Sequence, residues 1–219
     1  HNYGPIVIAG SSQDGVDAAY CQKFVGGIAG QVDGTVSTNT NHETGTIDIS
    51  FGGVLYKNSK TTSTPLLCIG GVVGVKSDSG NTNNKNFANI KFAPADTLTV
   101  STKHAEGGAN AANVGTINPL IGGCCGYASS APIGCKNSGN ITVSGVMDSG
   151  LYVGGIVANS VSASKFYNAT NSGAINVSAV LNDDVYLGGV QALMDNRSQE
   201  YASNNNEGAI TFSGTASLA

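Results

Sequence analysis

The chain has 219 residues, of which 40% are apolar and only 11% charged, with 31 glycines, no tryptophan and a formal net charge of −4. This length can bury a core, the apolar fraction is too high for a disordered chain, and the lack of a lysine and arginine cluster excludes the basic footprint a nucleic-acid partner needs. No run of about 18 apolar residues is present, so the sequence encodes no membrane span.

The first element in chain order is Gly4-Pro-Ile-Val-Ile-Ala-Gly10, which aligns position for position with Gly173-Ala-Ile-Asn-Val-Ser-Ala179. The chain therefore opens in mid-repeat. Next comes Phe24-Val-Gly-Gly-Ile-Ala-Gly30, and the same pattern returns at Cys68–Gly74, Leu120–Gly126, Tyr152–Ala158 and Tyr186–Ala192. Each copy is followed by a second segment: Ile47-Asp-Ile-Ser50, Ile90-Lys-Phe-Ala93, Ile141-Thr-Val-Ser144, Ile175-Asn-Val-Ser178 and Ile210-Thr-Phe-Ser213. Apolar residues alternate with variable ones there, as in a strand with one buried face. Between the two lies a weaker signal, an apolar residue before an Asn/Ser/Gly-rich turn, at Val36, Ile133, Phe166 and Tyr201, with no clear match in the second repeat.

The Gly-Gly pair precedes the next Ile segment by 19 to 22 residues, whereas the return from Ile to the next pair takes 23, 32, 13 and 13. Extra length thus collects at one corner, in insertions 51–66 and 94–118, as solenoids place their variable loops. A unit of this size cannot bury its apolar face alone, but stacked units do so for one another. The pattern predicts an all-β chain, a parallel β-helix of about five to six coils with three short strands per coil. The units run 1–20 (partial), 21–66, 67–118, 119–150, 151–184 and 185–219, in a single domain. Glycines within an apolar strand suggest a bulge or a close backbone approach. The last segment, Gly208–Gly214, is followed by no further Gly-Gly pair, which reads as a stretch taken from a longer array.

The Gly-Gly-Ile-Val-Gly strand followed by Asn-x-Gly-x-Ile-x-Val resembles the GLUG-type repeats of bacterial surface proteins, over essentially the whole chain. The resemblance implies an exported, cell-associated β-helical stalk or adhesin-like region, and departs from the pattern at Cys124-Cys125 and at the two insertions.

Few residues stand in patterns that carry chemistry. His1, His42 and His104 have no metal-ligand spacing, and Cys124-Cys125 stands in columns held elsewhere by aliphatic residues, so a buried role is expected for the thiols. Cys68 and Cys124 fall four positions apart on adjacent strands, too far for a direct disulfide, and a link between Cys125 and Cys135 within one coil is not expected. Asp78 to Asn83 has alternating oxygen ligands but no closing acid, and Asp183-Asp184 reads as a corner. The outward column Val7, Asp48, Lys91, Thr142, Asn176, Thr211 carries one acid, short of the carboxylate pair of glycan hydrolysis. Asn140, Asn168, Asn176 and Asn196 lie in Asn-x-Ser/Thr sequences. The expectation is a non-enzymatic extracellular scaffold, a cell-surface adhesion or stalk module without metal or cofactor. Its candidate contacts to a surface glycan or protein are Tyr56, Lys57, Lys103, His104 and Glu106. Neighbouring domains of a longer chain are the other expected partners. The alternative is an accessory or substrate-presenting β-helix of a larger secreted enzyme, with a polysaccharide-active enzyme itself a more distant reading.

Overall fold

The computed structural model describes residues 1–12, 23–56, 65–77, 80–101, 118–161, 166–194 and 201–216. Its described residues form strands and turns without helix, and every strand pairing is parallel. The chain is a parallel β-helix. One coil shows the plan: Ile90–Phe92, Leu98–Ser101, Leu120–Gly122, Cys125–Ala128, Pro132–Ile133 and Lys136–Asn137 follow one another around the axis. Each of the three strands expected per coil resolves into two short pairing segments across a bend, giving six.

Like residues lie over like. Gly26, Gly70, Gly122, Gly154 and Gly188 pair in sequence, as do Ile6, Ile47, Ile90, Ile141, Ile175 and Ile210. The weak third signal is partly out of register. Pro132, not Ile133, aligns with Val36, and the missing member in the second coil is Asn81. Asn81 is polar yet buried, which hid it from a search for apolar residues.

The glycine pair is not a bulge inside one strand but the corner between two, as between Lys23–Gly26 and Ala29–Val32. A Cβ on the first glycine would meet the carbonyl oxygen three residues on, as at Gly26 and Ala29. A Cβ on the second would lie 2.6 Å from the side-chain Cγ of Asn41 at Gly27, and closer still at Gly71, Gly123, Gly155 and Gly189, against Asn86, Asn137, Asn171 and Asn206. Only glycine admits this approach.

The asparagine is the other half of the device. Asn2 Nδ2 donates to Asn41 Oδ1 (2.8 Å), Asn41 to Asn86 (2.9 Å), and Asn86 to Asn137, Asn137 to Asn171 and Asn171 to Asn206 (2.8 Å each). Each Nδ2 also donates within its own coil, to the carbonyl of Gly4, Gly45, Ala88, Gly139, Gly173 or Gly208. Both amide hydrogens of Asn41, Asn86, Asn137 and Asn171 are thereby used, so burial costs these amides little.

Contact between the glycine corner and this ladder pinches the coil into two lobes. Ile47, Ile49, Phe92, Leu98, Ile121, Met147 and Val153 belong to one core, built from the first three segments. Val73, Cys124, Cys125, Cys135, Ile156, Val157 and Phe166 form the other. Full burial of each large aliphatic side chain contributes roughly 1.5–3 kcal/mol, and the lobes share this across coils.

The corner between the fifth and sixth segments carries a file of left-handed residues: Thr38 (φ 57°), Asn83 (54°), Gly134 (64°), Asn168 (58°) and Ser203 (55°). The turn-forming composition anticipates this. The insertions begin inside the coil, because Gly52–Tyr56 and Leu98–Ser101 pair with each other as ordinary strands. Their continuations, 57–64 and 102–117, lie outside the described residues.

Candidate functional site

A third apolar cluster lies where the third and fourth segments meet, on the side of the third segment away from the first core. On that side of the third segments Phe24, Cys68, Leu120, Tyr152 and Tyr186 stand in one file. Their neighbours Val25, Ile69, Ile121, Val153 and Leu187 point the other way, into the first core. Val75 and Ala158 of the fourth segments are buried against that file, with Tyr127 packed at its side. A Cβ on Gly126 would lie 3.0 Å from Cys68 Cβ, so the small residue at this motif position lets the two segments close together.

The file is buried at Cys68 and Leu120, which have no exposure, half-buried at Phe24 and Tyr152, and exposed at Tyr186. The rings of Tyr152 and Tyr186 meet edge to face, with centroids 4.7 Å apart. The turn before Tyr186 adds two acids. Asp183 accepts the Asp184 amide (2.8 Å), and the Asp184 carboxylate accepts the Tyr186 hydroxyl (3.3 Å). Asn182 donates to Asp148 (2.9 Å) beside them, and Asn118 Oδ1 accepts the Gly150 amide (3.1 Å). The charge of Asp184 raises the pKa of the Tyr186 phenol, whereas burial is the first cause at Tyr152, partly opposed by a hydrogen bond to Asn118. Both phenols are therefore neutral near pH 7, offering ring faces and hydroxyls beside carboxylate acceptors. That combination suits a sugar ring, with one apolar face and hydroxyls at its rim. Sequence reasoning took Asp183-Asp184 for a corner, which it is, but missed the tyrosine file beside it. The signal was present, as Tyr152 and Tyr186 hold the same column of the Gly-Gly repeat.

Tyr56 ends the strand Gly52–Tyr56 and pairs with Ser101. Lys57, Lys103, His104 and Glu106 lie outside the described residues, so these five are not brought together as a described site. Asp78 also lies outside them. Asn81 departs from the calcium-loop reading: it is buried and accepts from Asn84 Nδ2 (2.7 Å), with its own Nδ2 lacking a hydrogen-bond partner.

The outward column read from the sequence is a true file, Val7 through Thr211, by register. Its one acid, Asp48, is engaged by Lys91 at 3.4 Å. Cys68, Cys124, Cys125 and Cys135 are free, buried thiols, while Cys21 lies outside the described residues. Cys124 Sγ donates to the Lys136 carbonyl (3.2 Å) and Cys125 Sγ to the Tyr127 carbonyl (3.0 Å). Burial raises the pKa values of Cys68 and Cys125, with Lys76, itself wholly buried, opposing this at Cys125. At Cys124 the first cause is a hydrogen bond with Cys135, followed by burial. Such thiols are poor nucleophiles.

Among the described residues no group of three His, Cys, Asp or Glu side chains gathers as a metal site, and no helix is long and apolar enough to cross a membrane. In comparisons with known proteins, no family model, no curated protein and no solved structure matches this chain.

Proposed function

We propose that this chain is a non-enzymatic, extracellular repeat scaffold, a cell-surface adhesion or stalk module that meets a glycan or protein through its lateral face. The observation that carries this reading is the contrast between interior and exterior. The interior repeats the same asparagine and glycine in coil after coil, while the outward file changes at every step, from Val7 to Asp48, Lys91, Thr142, Asn176 and Thr211. That pattern builds length and displays variable side chains, which is what a stalk or adhesive surface requires. The edge of Tyr152, Tyr186 and Asp184 is the described surface whose chemistry best fits a glycan. The insertions, emerging from the neighbouring corner, supply further contacts.

A glycan array tests this with three proteins: wild type, a variant shortened within 57–64 and 102–117, and Tyr152→Ala/Tyr186→Ala. Trimming should begin after Tyr56 and Ser101, since the strands before them belong to the coil. Binding by wild type and its loss in either variant supports the proposal. Absence of wild-type binding to glycans and to surface-protein extracts, or turnover of a polysaccharide, would refute it.

A further inference from the structure

His1 and His42 stand 41 positions apart, a separation with no ligand signature. One turn of the solenoid removes it. Asn2 forms a parallel bridge with Asn41, and the residues flanking that bridge, His1 and His42, are carried to the same edge. His1 Nδ1 and His42 Nε2 lie 3.1 Å apart.

Two imidazole nitrogens at this distance have two uses. One ring donates its N–H to the other's lone pair, or both lone pairs share a cation. Metal–imidazole bonds of about 2.0–2.1 Å, at a tetrahedral or cis square-planar angle, place two donor nitrogens ~2.9–3.4 Å apart, and the observed separation lies inside that interval.

The rings are also held in place. His42 stacks on Tyr3 with centroids 4.0 Å apart and an interplanar angle of 10°, and Phe87 flanks it at 6.4 Å. The backbone beneath is fixed: the His42 amide donates to the Asn2 carbonyl (2.9 Å), and Thr44 Oγ1 to the Tyr3 carbonyl (2.7 Å). Asn2 is the first rung of the buried ladder, so the His pair sits on the most regular element of the fold. His1 is exposed and His42 half-buried, which leaves open positions on a bound ion for water or a further ligand.

We infer that His1 Nδ1 and His42 Nε2 form a bidentate site for an imidazole-preferring divalent transition metal, with Cu(II) held more tightly than Zn(II). The preference follows from nitrogen donors and the Irving–Williams order. Two side-chain ligands with open positions make an exchangeable surface site, not a closed structural one.

The test is titration of CuCl2 and ZnCl2 into the intact chain near neutral pH, followed by calorimetry and, for copper, electron paramagnetic resonance. Wild type should bind one ion per chain at this site, with the copper signal split by two imidazole nitrogens. His42→Phe keeps a ring over Tyr3 and removes the donor. It should weaken copper binding at least about tenfold, the lower end of what loss of even an outer-shell partner of a metal ligand costs, and leave one imidazole in the spectrum. Both proteins carry the same added residue before His1, so that no α-amino group at this position supplies a nitrogen to the ion. Equal affinity in His42→Phe, a single-imidazole spectrum in wild type, or no copper binding would overturn the inference.

Discussion

Two files of residues run the length of this solenoid and obey opposite rules. The inner file is asparagine at every described rung, Asn2, Asn41, Asn86, Asn137, Asn171 and Asn206, each bonded to the next and the middle four buried. The outward file of the adjoining segments has valine, aspartate, lysine, threonine, asparagine and threonine at equivalent rungs. The difference lies in what else can satisfy the side chain. Outside, water replaces any lost partner. Inside, a primary amide has two donors and an acceptor to place, and only an identical amide above and below, with a carbonyl of its own coil, places them all.

The largest effect expected from this contrast is at Asn137. Asn137→Leu, nearly isosteric, strands one Asn86 Nδ2 hydrogen, the Gly139 carbonyl and the Asn171 Oδ1 together. A loss of about 3–5 kcal/mol in denaturant unfolding is expected from several buried groups left unpaired. A loss below about 1 kcal/mol would mean the ladder is incidental.

The buried thiols come next. Cys68, Cys124 and Cys125 have folded pKa values raised above the ordinary 9.0 by burial and, first at Cys124, by the Cys135 hydrogen bond. A raised value means the folded state holds its proton longer. The stability they contribute is complete below about pH 9 and is lost as pH climbs through and above it. Alkylation mapped by mass spectrometry at pH 8 should leave these three untouched in the native chain and label them after denaturation. Labelling of Cys124 or Cys125 without denaturation would break the two-lobe packing, and labelling of Cys68 would break the seal between the third and fourth segments.

A smaller effect is expected at Thr38, whose φ of 57° is unfavourable for a β-branched residue. Gly134, Asn83 and Asn168 hold the same corner in other coils. Thr38→Asn should therefore raise stability by up to about 1 kcal/mol, read as a shift in the unfolding midpoint. The smallest belongs to the outward file. Asp48→Asn removes a pair with Lys91 whose side chains are 44% and 56% exposed, and a change within ~0.5 kcal/mol is expected.

Much of this was legible in the sequence. The five Gly-Gly segments and the Ile segments gave the coil, its register and the corner where length accumulates, because glycine and alternating apolar residues are conspicuous in a polar chain. The ladder was visible in part: asparagine stands four residues before the isoleucine at Asn2, Asn86, Asn137, Asn171 and Asn206, and six before it at Asn41. It was read as turn composition, since polarity alone does not tell a solvated asparagine from a buried one with identical neighbours. Asn81 went unmatched for the same reason. The edge of Tyr152, Tyr186 and Asp184, and the meeting of His1 with His42, depend on contacts between coils that no local spacing encodes.

The direct test of the account is hydrogen exchange of the side-chain amides, followed by NMR with assigned asparagine resonances. Asn41, Asn86, Asn137 and Asn171 should keep their Nδ2 protons far longer than the exposed Asn182 and Asn205, with protection close to that of the strand amides around them. Exchange of the four at the rate of the exposed pair would mean that the interior is not held by stacked asparagines, and the pinched, in-register coil described here would be wrong.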